Sequence, residues 1–246
     1  MVKKWLALLC ALMLMCPAAL SEHVIHELSG VEYYPDAEAW TYCYDYSLPQ
    51  LETGMADVAA MMINETMVMA LDEMRELVLP MFAASEDMTC NGRMTITQRY
   101  QITCNSDRFF SVLITREEKD DRGSFYTLES EVFDVGGEYM GETLTLRGVV
   151  MVGQSSDQLG RAVLPVLYEE FKKLQQEGVC VPDMTEEDFY LSFSPTLDYC
   201  CDQEGNALFY FQPALMAEPS LDVPMFTFTP AELQALCENV PAESEY

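Results

Sequence analysis

The sequence has almost no histidine. Only His23 and His26 occur, both near the N-terminus and outside the segment that we predict to fold. Nucleophilic triads need a histidine within the fold, and zinc sites use histidine or several clustered cysteines. We therefore expect no catalytic residues of these kinds, no metal site and no cofactor. Weak copper binding by His23 on a mobile tail remains an alternative to simple tail polarity.

Basic residues are also scarce. The chain has 13 Lys and Arg against 41 Asp and Glu, which gives a formal net charge of -28. A field of this sign repels nucleic acid and anionic lipid, and it attracts cationic partners over about a Debye length. We expect no nucleic-acid partner. Either capture of a cationic protein or solubility alone explains the charge.

Long hydrophobic runs are missing except at the start of the chain. Residues 1–21 combine Lys3 and Lys4 with an apolar run and then small residues, which is typical of a secretory signal peptide. The apolar run is shorter than the roughly 20 residues that a membrane helix needs. We predict cleavage near Ser21, a secreted or cell-envelope location and no later membrane span. A retained anchor is the alternative.

The many acids do not follow a known metal pattern. Asp198, Asp202 and Glu204 come nearest to a calcium loop, but their spacing departs from that of an EF-hand, and a hairpin turn explains them. Paired carboxylates can hydrolyse glycans without histidine. A carboxylate-based hydrolase of cell-wall glycan, or an accessory domain to one, therefore stays open as an alternative.

Nine cysteines are present, and two of them lie in the predicted signal peptide. The seven that remain form an odd number, so at least one is free or pairs with a second chain. Export favours disulfides, and Cys90 and Cys104 would close a short loop. The disulfide candidates are Cys90, Cys104, Cys180, Cys200, Cys201 and Cys237, and a disulfide-linked dimer is a further alternative.

The remainder of the chain predicts an α+β fold with a largely antiparallel sheet packed against a few helices. We expect residues 22–39 to be a flexible mature N-terminus and residues 40–240 to form one domain, with 40–105 and 106–240 as candidate sub-halves. Alternating apolar residues predict strands at 40–48, 94–104, 109–114, 124–133, 143–146, 189–193, 207–212 and 225–229.

Three helices are expected between these strands. The first carries an apolar stripe over 56–77 and should end at Pro80. The second begins at a capping box at Ser155 and the third at another at Thr229, where Pro230 takes the first helical position.

Several segments, in this order, resemble the extracytoplasmic domain of RsiV-type anti-sigma factors, which also occurs beside PdaC-type peptidoglycan deacetylases. They are YSLPQL with the following Ile63-Asn64, FFSVLI, VFDVGGEYMGETLTL, ALFYFQP and FTFTPAEL. The resemblance covers about residues 40–238. It implies an α+β binding domain at the bacterial cell envelope, with a lysozyme-like cationic protein or peptidoglycan as partner, and many members have no known function.

The loop at 213–224 departs from the family pattern, because Ala214 and Leu215 replace its usual Tyr-Glu and the segment EPSLDVP has no glycine. Prolines lower the ordering cost of binding, and exposed acids attract a basic partner. We expect a non-catalytic binding protein that uses this loop, and a solvated connection or a structural envelope protein is the alternative. The candidate binding residues are Pro213, Glu218, Pro219, Ser220 and Asp222.

Overall fold

The computed structural model describes residues 23–54, 57–84, 93–151 and 153–238. Two sheets organise this part of the chain. The larger has the order β1-β2-β3-β4-β5 and the smaller the order β6-β7-β8. The strands are β1 (Ile25–Tyr34), β2 (Tyr42–Leu51), β3 (Met94–Asn105), β4 (Phe109–Asp120), β5 (Gly123–Asp134), β6 (Tyr199–Cys201), β7 (Ala207–Tyr210) and β8 (Met225–Phe228).

Within the described ranges, six α-helices connect and cover these strands. They are α1 (Val58–Glu73), α2 (Leu79–Ala84), α3 (Leu146–Val150), α4 (Ser156–Gln176), α5 (Glu186–Ser192) and α6 (Pro230–Glu238). A π-helical turn at Met74–Val78 joins the first two, and Pro213–Leu215 form a 3₁₀ turn. Among the strands that the structure describes, only β2 and β3 pair in parallel. The predicted α+β class with a largely antiparallel sheet is confirmed.

The larger sheet separates two hydrophobic cores. Successive residues of β4 alternate between them: Phe109 and Leu113 belong to one core, whereas Phe110, Val112 and Ile114 belong to the other. Because side chains of a strand point alternately to opposite faces, the cores lie on opposite sides of this sheet. One contains the apolar stripe of α1, and the other contains the small sheet with α3 to α6.

The N-terminal segment is part of the sheet rather than a flexible tail. Residues 25–34 form β1, which pairs with β2 at every position from Ile25–Leu51 to Tyr34–Tyr42. Partly buried side chains alternate with exposed ones along most of the strand. The sequence of this edge strand is polar because one face is solvated and only the other packs against the core. Its composition therefore does not predict a strand.

Two prolines do not end their elements as expected. β2 continues through Pro49 to Leu51, because β3 pairs only with residues 42–46 and leaves the strand free on that side. Helix α2 follows the π-helical turn directly, and Pro80 is its second residue. In that wider turn the Leu79 amide donates to Met74, so the usual hydrogen-bond ladder is already interrupted before the proline.

Two predicted strands do not form. Residues 143–146 make only one bridge, between Thr143 and Phe133, before α3 begins. Residues 189–193 belong largely to α5, where Thr185 and Asp188 form a reciprocal capping box. The capping hydrogen bonds and three acids in the first turn stabilise this helix start, although the residues within it alternate like a strand.

The predicted helix starts at Ser155 and Thr229 are confirmed. The Ser155 hydroxyl accepts a hydrogen bond from the Gln158 amide, and Glu232 accepts from both the amide and the hydroxyl of Thr229. Within the part of the chain that the structure describes, no helix has the length and hydropathy to cross a bilayer.

Mildly acidic solution should stabilise the protein. Burial raises the pKa of Glu118, Glu131 and Asp198, so the folded state binds more protons than the unfolded state just above their ordinary pKa values. Their favourable contribution is complete below the unfolded pKa and is lost as the pH rises through the folded pKa. Repulsion within a chain of charge -28 acts in the same direction.

We expect the melting temperature to be about 5 °C higher at pH 5 than at pH 8, measured at constant ionic strength. Asp188 and Glu232 have lowered pKa values, so they oppose this trend only at still lower pH. Replacing Glu131 by Gln should flatten the profile. A melting temperature that rises from pH 5 to pH 8 would contradict this prediction.

Candidate functional site

An open pocket of about 770 Å³ lies where β4 begins and β5 ends. The turn after β5 forms one wall, and the segment leading into α3 forms the other. This second wall is fixed because the Leu144 amide donates to the Val132 carbonyl and the Tyr199 hydroxyl donates to the Leu144 carbonyl. The lining residues are 108–109, 134, 136–139, 142–145, 147–148 and 151.

Asp134 holds the turn in shape. Its buried carboxylate accepts hydrogen bonds from the amides of Gly137 at 2.7 Å and Tyr139 at 2.8 Å, and its carbonyl accepts from Gly141 at 2.6 Å. A carboxylate that accepts hydrogen bonds from backbone N–H groups stabilises a turn. An N-cap side chain stabilises the start of a helix in the same way. The hydrogen bonds of the Asp134 carboxylate therefore stabilise the turn that forms the pocket wall.

Two glycines allow the turn to come this close. A Cβ at Gly137 would collide with the carboxylate of Asp134, and a Cβ at Gly136 would collide with the Asp107 carbonyl. Both positions need glycine for close approach rather than for backbone conformation. The sequence DVGG thus specifies a tight turn, and the wall beside it is made of backbone.

Two arginines give the pocket a positive side. Arg108 and Arg147 are both exposed, and neither forms an ion pair with any other residue that the structure describes. The Arg108 guanidinium lies 4.6 Å from the centre of the Phe109 ring. Glu138 and Glu142, also exposed, line the same pocket. The mixture suits a ligand that has a carboxylate together with amide or ammonium groups.

The other arginines and two of the lysines are differently placed. Arg93 stacks on Trp40 at 4.4 Å. The remaining ones form ion pairs with neighbouring acids: Arg75, Arg99, Arg116, Arg122, Arg161, Lys172 and Lys173. Arg108 and Arg147 differ from these residues because neither forms an ion pair within the described part of the chain.

The loop predicted to bind a partner is anchored at its base and exposed at its tip. Pro213 is buried in the 3₁₀ turn and is not available for contact. The Val181 amide donates to Leu215, and the Ala217 amide donates to Val179, each at 2.9 Å. The exposed or partly exposed acidic tip comprises residues 217–222, which include the predicted Glu218, Pro219, Ser220 and Asp222.

Both histidines lie in the N-terminal part of the described fold. His23 exchanges backbone hydrogen bonds with the Asn105 side chain and lies 3.7 Å from Asp57, while His26 is an exposed residue of β1. Both therefore belong to the fold, contrary to expectation. Across the described residues, no three His, Cys, Asp or Glu side chains are grouped so that they could hold a metal ion.

The cysteines that the structure describes are buried free thiols. This holds for five of the six disulfide candidates, Cys104, Cys180, Cys200, Cys201 and Cys237, and also for Cys43. Cys90, with its predicted link to Cys104, lies outside the described residues. None of the buried thiols can reach a second chain without opening the fold, so a disulfide-linked dimer gains no support from them.

Sequence reasoning missed the pocket for two different reasons. The VFDVGGEYMGETLTL segment contributes to the family resemblance, and its Asp-x-Gly-Gly spacing is a signal for a tight turn that contains Asp134. Arg108 and Arg147 have no such signal, because they are far apart in sequence and meet only when β4 and α3 flank the turn.

Two solved structures share this architecture. A DUF3298 family protein from Bacteroides fragilis has a TM-score of 0.53 at 9% identity, covering 88% of this chain and 99% of that chain. A DUF3298 family protein from Pseudomonas aeruginosa has a TM-score of 0.53 at 11% identity, covering 86% and 93%. No family model and no curated protein matches the sequence. Along nearly its whole described length, the chain has the fold of these DUF3298 family proteins.

Proposed function

We propose that this chain is an exported, non-catalytic binding protein of the cell envelope that recognises a cationic protein through its acidic surface. Lysozyme is the representative partner, since it is a compact basic protein that attacks cell walls. The observation that carries the proposal is the charge: 41 acidic residues face only 13 basic ones. Such a field concentrates a basic partner near the surface and speeds its encounter.

The acidic tip at residues 217–222 supplies the specific contact. Glu218 and Asp222 are exposed, while Ser220 donates a hydrogen bond to the Asp222 carbonyl within the tip. Backbone hydrogen bonds hold both ends, because Ala217 donates to Val179 and Phe211 donates to Pro224. A loop ordered before binding loses less conformational entropy when a partner arrives.

A second candidate ligand is a carboxylated cell-wall fragment, for which the pocket is the supporting observation. Peptidoglycan stem peptides carry carboxylates and amides, and Arg108 and Arg147 offer two guanidinium groups beside a wall of backbone. Arginine binds a carboxylate through two parallel hydrogen bonds. This ligand would use a different surface from that used by a cationic protein.

Calorimetric titration tests both candidates. The partners are c-type lysozyme, a basic peptide of equal net charge and a soluble peptidoglycan fragment, each at low and at physiological salt. Specific receptor binding predicts that lysozyme binds at physiological salt and that the basic peptide does not, because steering by charge alone is screened. No heat with lysozyme or with the fragment would overturn the proposal in favour of a structural role.

Charge-matched variants locate the contact. Replacing Glu218 by Gln and Asp222 by Asn should weaken lysozyme binding about 3- to 10-fold, mainly through slower association. Glu65→Gln with Glu73→Gln is the control, because both acids are exposed on α1 and the overall charge changes equally. Equal weakening by the two double variants would show that the tip has no special role.

A double arginine variant tests whether the pocket binds the peptidoglycan fragment. Arg108→Gln with Arg147→Gln should abolish binding of the peptidoglycan fragment and leave lysozyme binding unchanged. Arg122, an exposed and ion-paired residue in the β4–β5 turn, provides the control variant Arg122→Gln.

A carboxylate-based hydrolase is the alternative activity, and Glu131 is the observation that favours it. Burial raises the pKa of Glu131, and its hydrogen-bond partner Thr143 lines the pocket. A general acid needs a raised pKa of this kind. Release of reducing ends from peptidoglycan that is lost in Glu131→Gln would replace the binding proposal with this one.

A further inference from the structure

Two buried cysteines from different sheets meet at the junction between the two sheets. Cys104 lies near the end of β3 in the larger sheet, and Cys201 is the last residue of β6 in the smaller one. Both are fully buried, and their side chains lie close enough for each to influence the ionisation of the other. The Cys104 thiol is also within 3.6 Å of the Ser106 hydroxyl and of the Phe109 carbonyl. We propose that Cys104 and Cys201 form a disulfide that links the two sheets of the folded, exported protein.

The backbone around the pair supports this connection. Cys104 lies directly opposite Ser111 in the β3–β4 pairing, just after a register shift in β3. The Ser111 hydroxyl in turn accepts a hydrogen bond from the Cys201 amide at 3.2 Å. Both cysteine backbones therefore lie against the same residue of β4. A disulfide needs Cα atoms about 4.4–6.8 Å apart, and packing against one residue brings these two segments next to each other.

Cys200 has the same burial but a different environment. It precedes Cys201 in β6, so its side chain points to the other side of the strand. Its hydrogen-bond partner is Thr103 rather than a thiol. Burial raises its pKa to about 11. Cys200 is therefore an internal control: an equally buried cysteine, one position away, without a thiol partner.

The chemistry is thiol–disulfide exchange with a disulfide oxidant, either a protein dithiol oxidase or glutathione disulfide. The Cys104 thiolate attacks one sulfur of the oxidant and releases the first oxidant thiol, which leaves a mixed disulfide. The Cys201 thiolate then attacks the Cys104 sulfur and releases the second. Two protein thiols lose two protons and two electrons, and the oxidant disulfide becomes two thiols.

In the folded chain the two thiols are not equivalent. The interaction with Cys201 lowers the pKa of Cys104, and that same interaction together with burial raises the pKa of Cys201. Since neither sulfur is exposed, oxidation takes place while the chain folds, before the small sheet covers β3. Once formed, the disulfide is shielded from reductants by the same burial.

Peptide mapping tests the link directly. The full chain is refolded with a mixture of reduced and oxidised glutathione, denatured in N-ethylmaleimide to block free thiols, digested and analysed by mass spectrometry. The peptide that contains Cys104 should be joined to the peptide that contains Cys201. Alkylation of Cys104 and Cys201 in most molecules, or a link from Cys104 to Cys90, would overturn the proposal.

Variants resolve the adjacent cysteines, which digestion cannot separate. Cys200→Ser should keep the link and Cys201→Ser should lose it. The opposite result would assign the disulfide to Cys200 and refute the pairing with Cys201.

The thermal stability of the unmodified chain gives a second measurement that does not depend on any variant. The link closes a loop of roughly 100 residues, so the oxidised chain should melt about 10 °C above the chain refolded in a reductant. Cys200→Ser should show the same difference between its oxidised and reduced forms. Equal melting temperatures for the two forms of the unmodified chain would contradict a structural disulfide.

Discussion

Replacing Phe189 by alanine should lower the free energy of unfolding by about 3–5 kcal/mol, the range for deleting a fully buried aromatic ring. Phe189 is the only fully buried residue of α5, and its ring lies at the centre of the core between the helices and the small sheet. The neighbouring rings, with centroids 4.8–6.0 Å away, belong to Tyr168, Phe171, Tyr190, Phe193 and Phe211.

Denaturant titration measures this loss, and Leu191 provides the control on the same helix. The Leu191 side chain is 81% exposed, so Leu191→Ala should change the free energy of unfolding by less than about 0.5 kcal/mol. Phe189→Leu keeps part of the volume and should cost less than Phe189→Ala. A loss of less than about 1 kcal/mol in Phe189→Ala would show that the ring cluster does not hold the helix in place.

Asp134→Ala should lower the free energy of unfolding by about 2–3 kcal/mol and remove binding in the pocket. The variant leaves the amides of Gly137 and Tyr139 without their acceptor, and hydrogen bonds to a charged group contribute about 1.5–3 kcal/mol each. Because both residues are exposed, water can hydrogen-bond to their amides and offset part of the lost free energy. The turn that forms the backbone wall would then lose its fixed shape.

The control is Glu138→Gln, which removes one negative charge from the same turn without touching the hydrogen bonds of Asp134. It should leave stability within about 0.5 kcal/mol of the unmodified chain. Thermal unfolding and titration with the peptidoglycan fragment measure the two effects separately. If Asp134→Ala kept full stability, the carboxylate would have to serve the ligand rather than the turn.

The two surfaces proposed for binding depend on different features of the fold. The acidic tip needs exposure, charge and a fixed base, so its variants should alter affinity without altering stability. The pocket needs a backbone wall that one buried carboxylate maintains, so Asp134 links stability to binding there. Comparing the two sets of variants therefore separates recognition by charge from recognition by shape.

The sequence by itself determined the features that depend on local patterns. Alternation predicted the long strands β3 to β5, apolar spacing of three and four predicted α1 and α4, and capping residues placed the starts of α4 and α6. Composition determined the acidic character of the molecule. These features follow from near neighbours in the chain, so a short window of sequence contains their causes.

Tertiary structure decided the elements whose environment comes from elsewhere in the chain. Residues 25–34 became a strand because β2 offered an edge, and residues 189–192 became helical because a capping box and a core of aromatic rings outweighed their alternating pattern. The DVGG turn is local, but the pocket also needs Arg108, which directly precedes β4, and Arg147 from α3.

The same reason explains why Cys104 and Cys201 lie close together. The residues in between fold into two further strands, helices and loops, and only their packing brings the two thiols together. Spacing favoured the nearby Cys90 as a partner for Cys104, since short loops close most readily. Contacts between distant segments depend on how whole layers pack, and no local pattern encodes that packing.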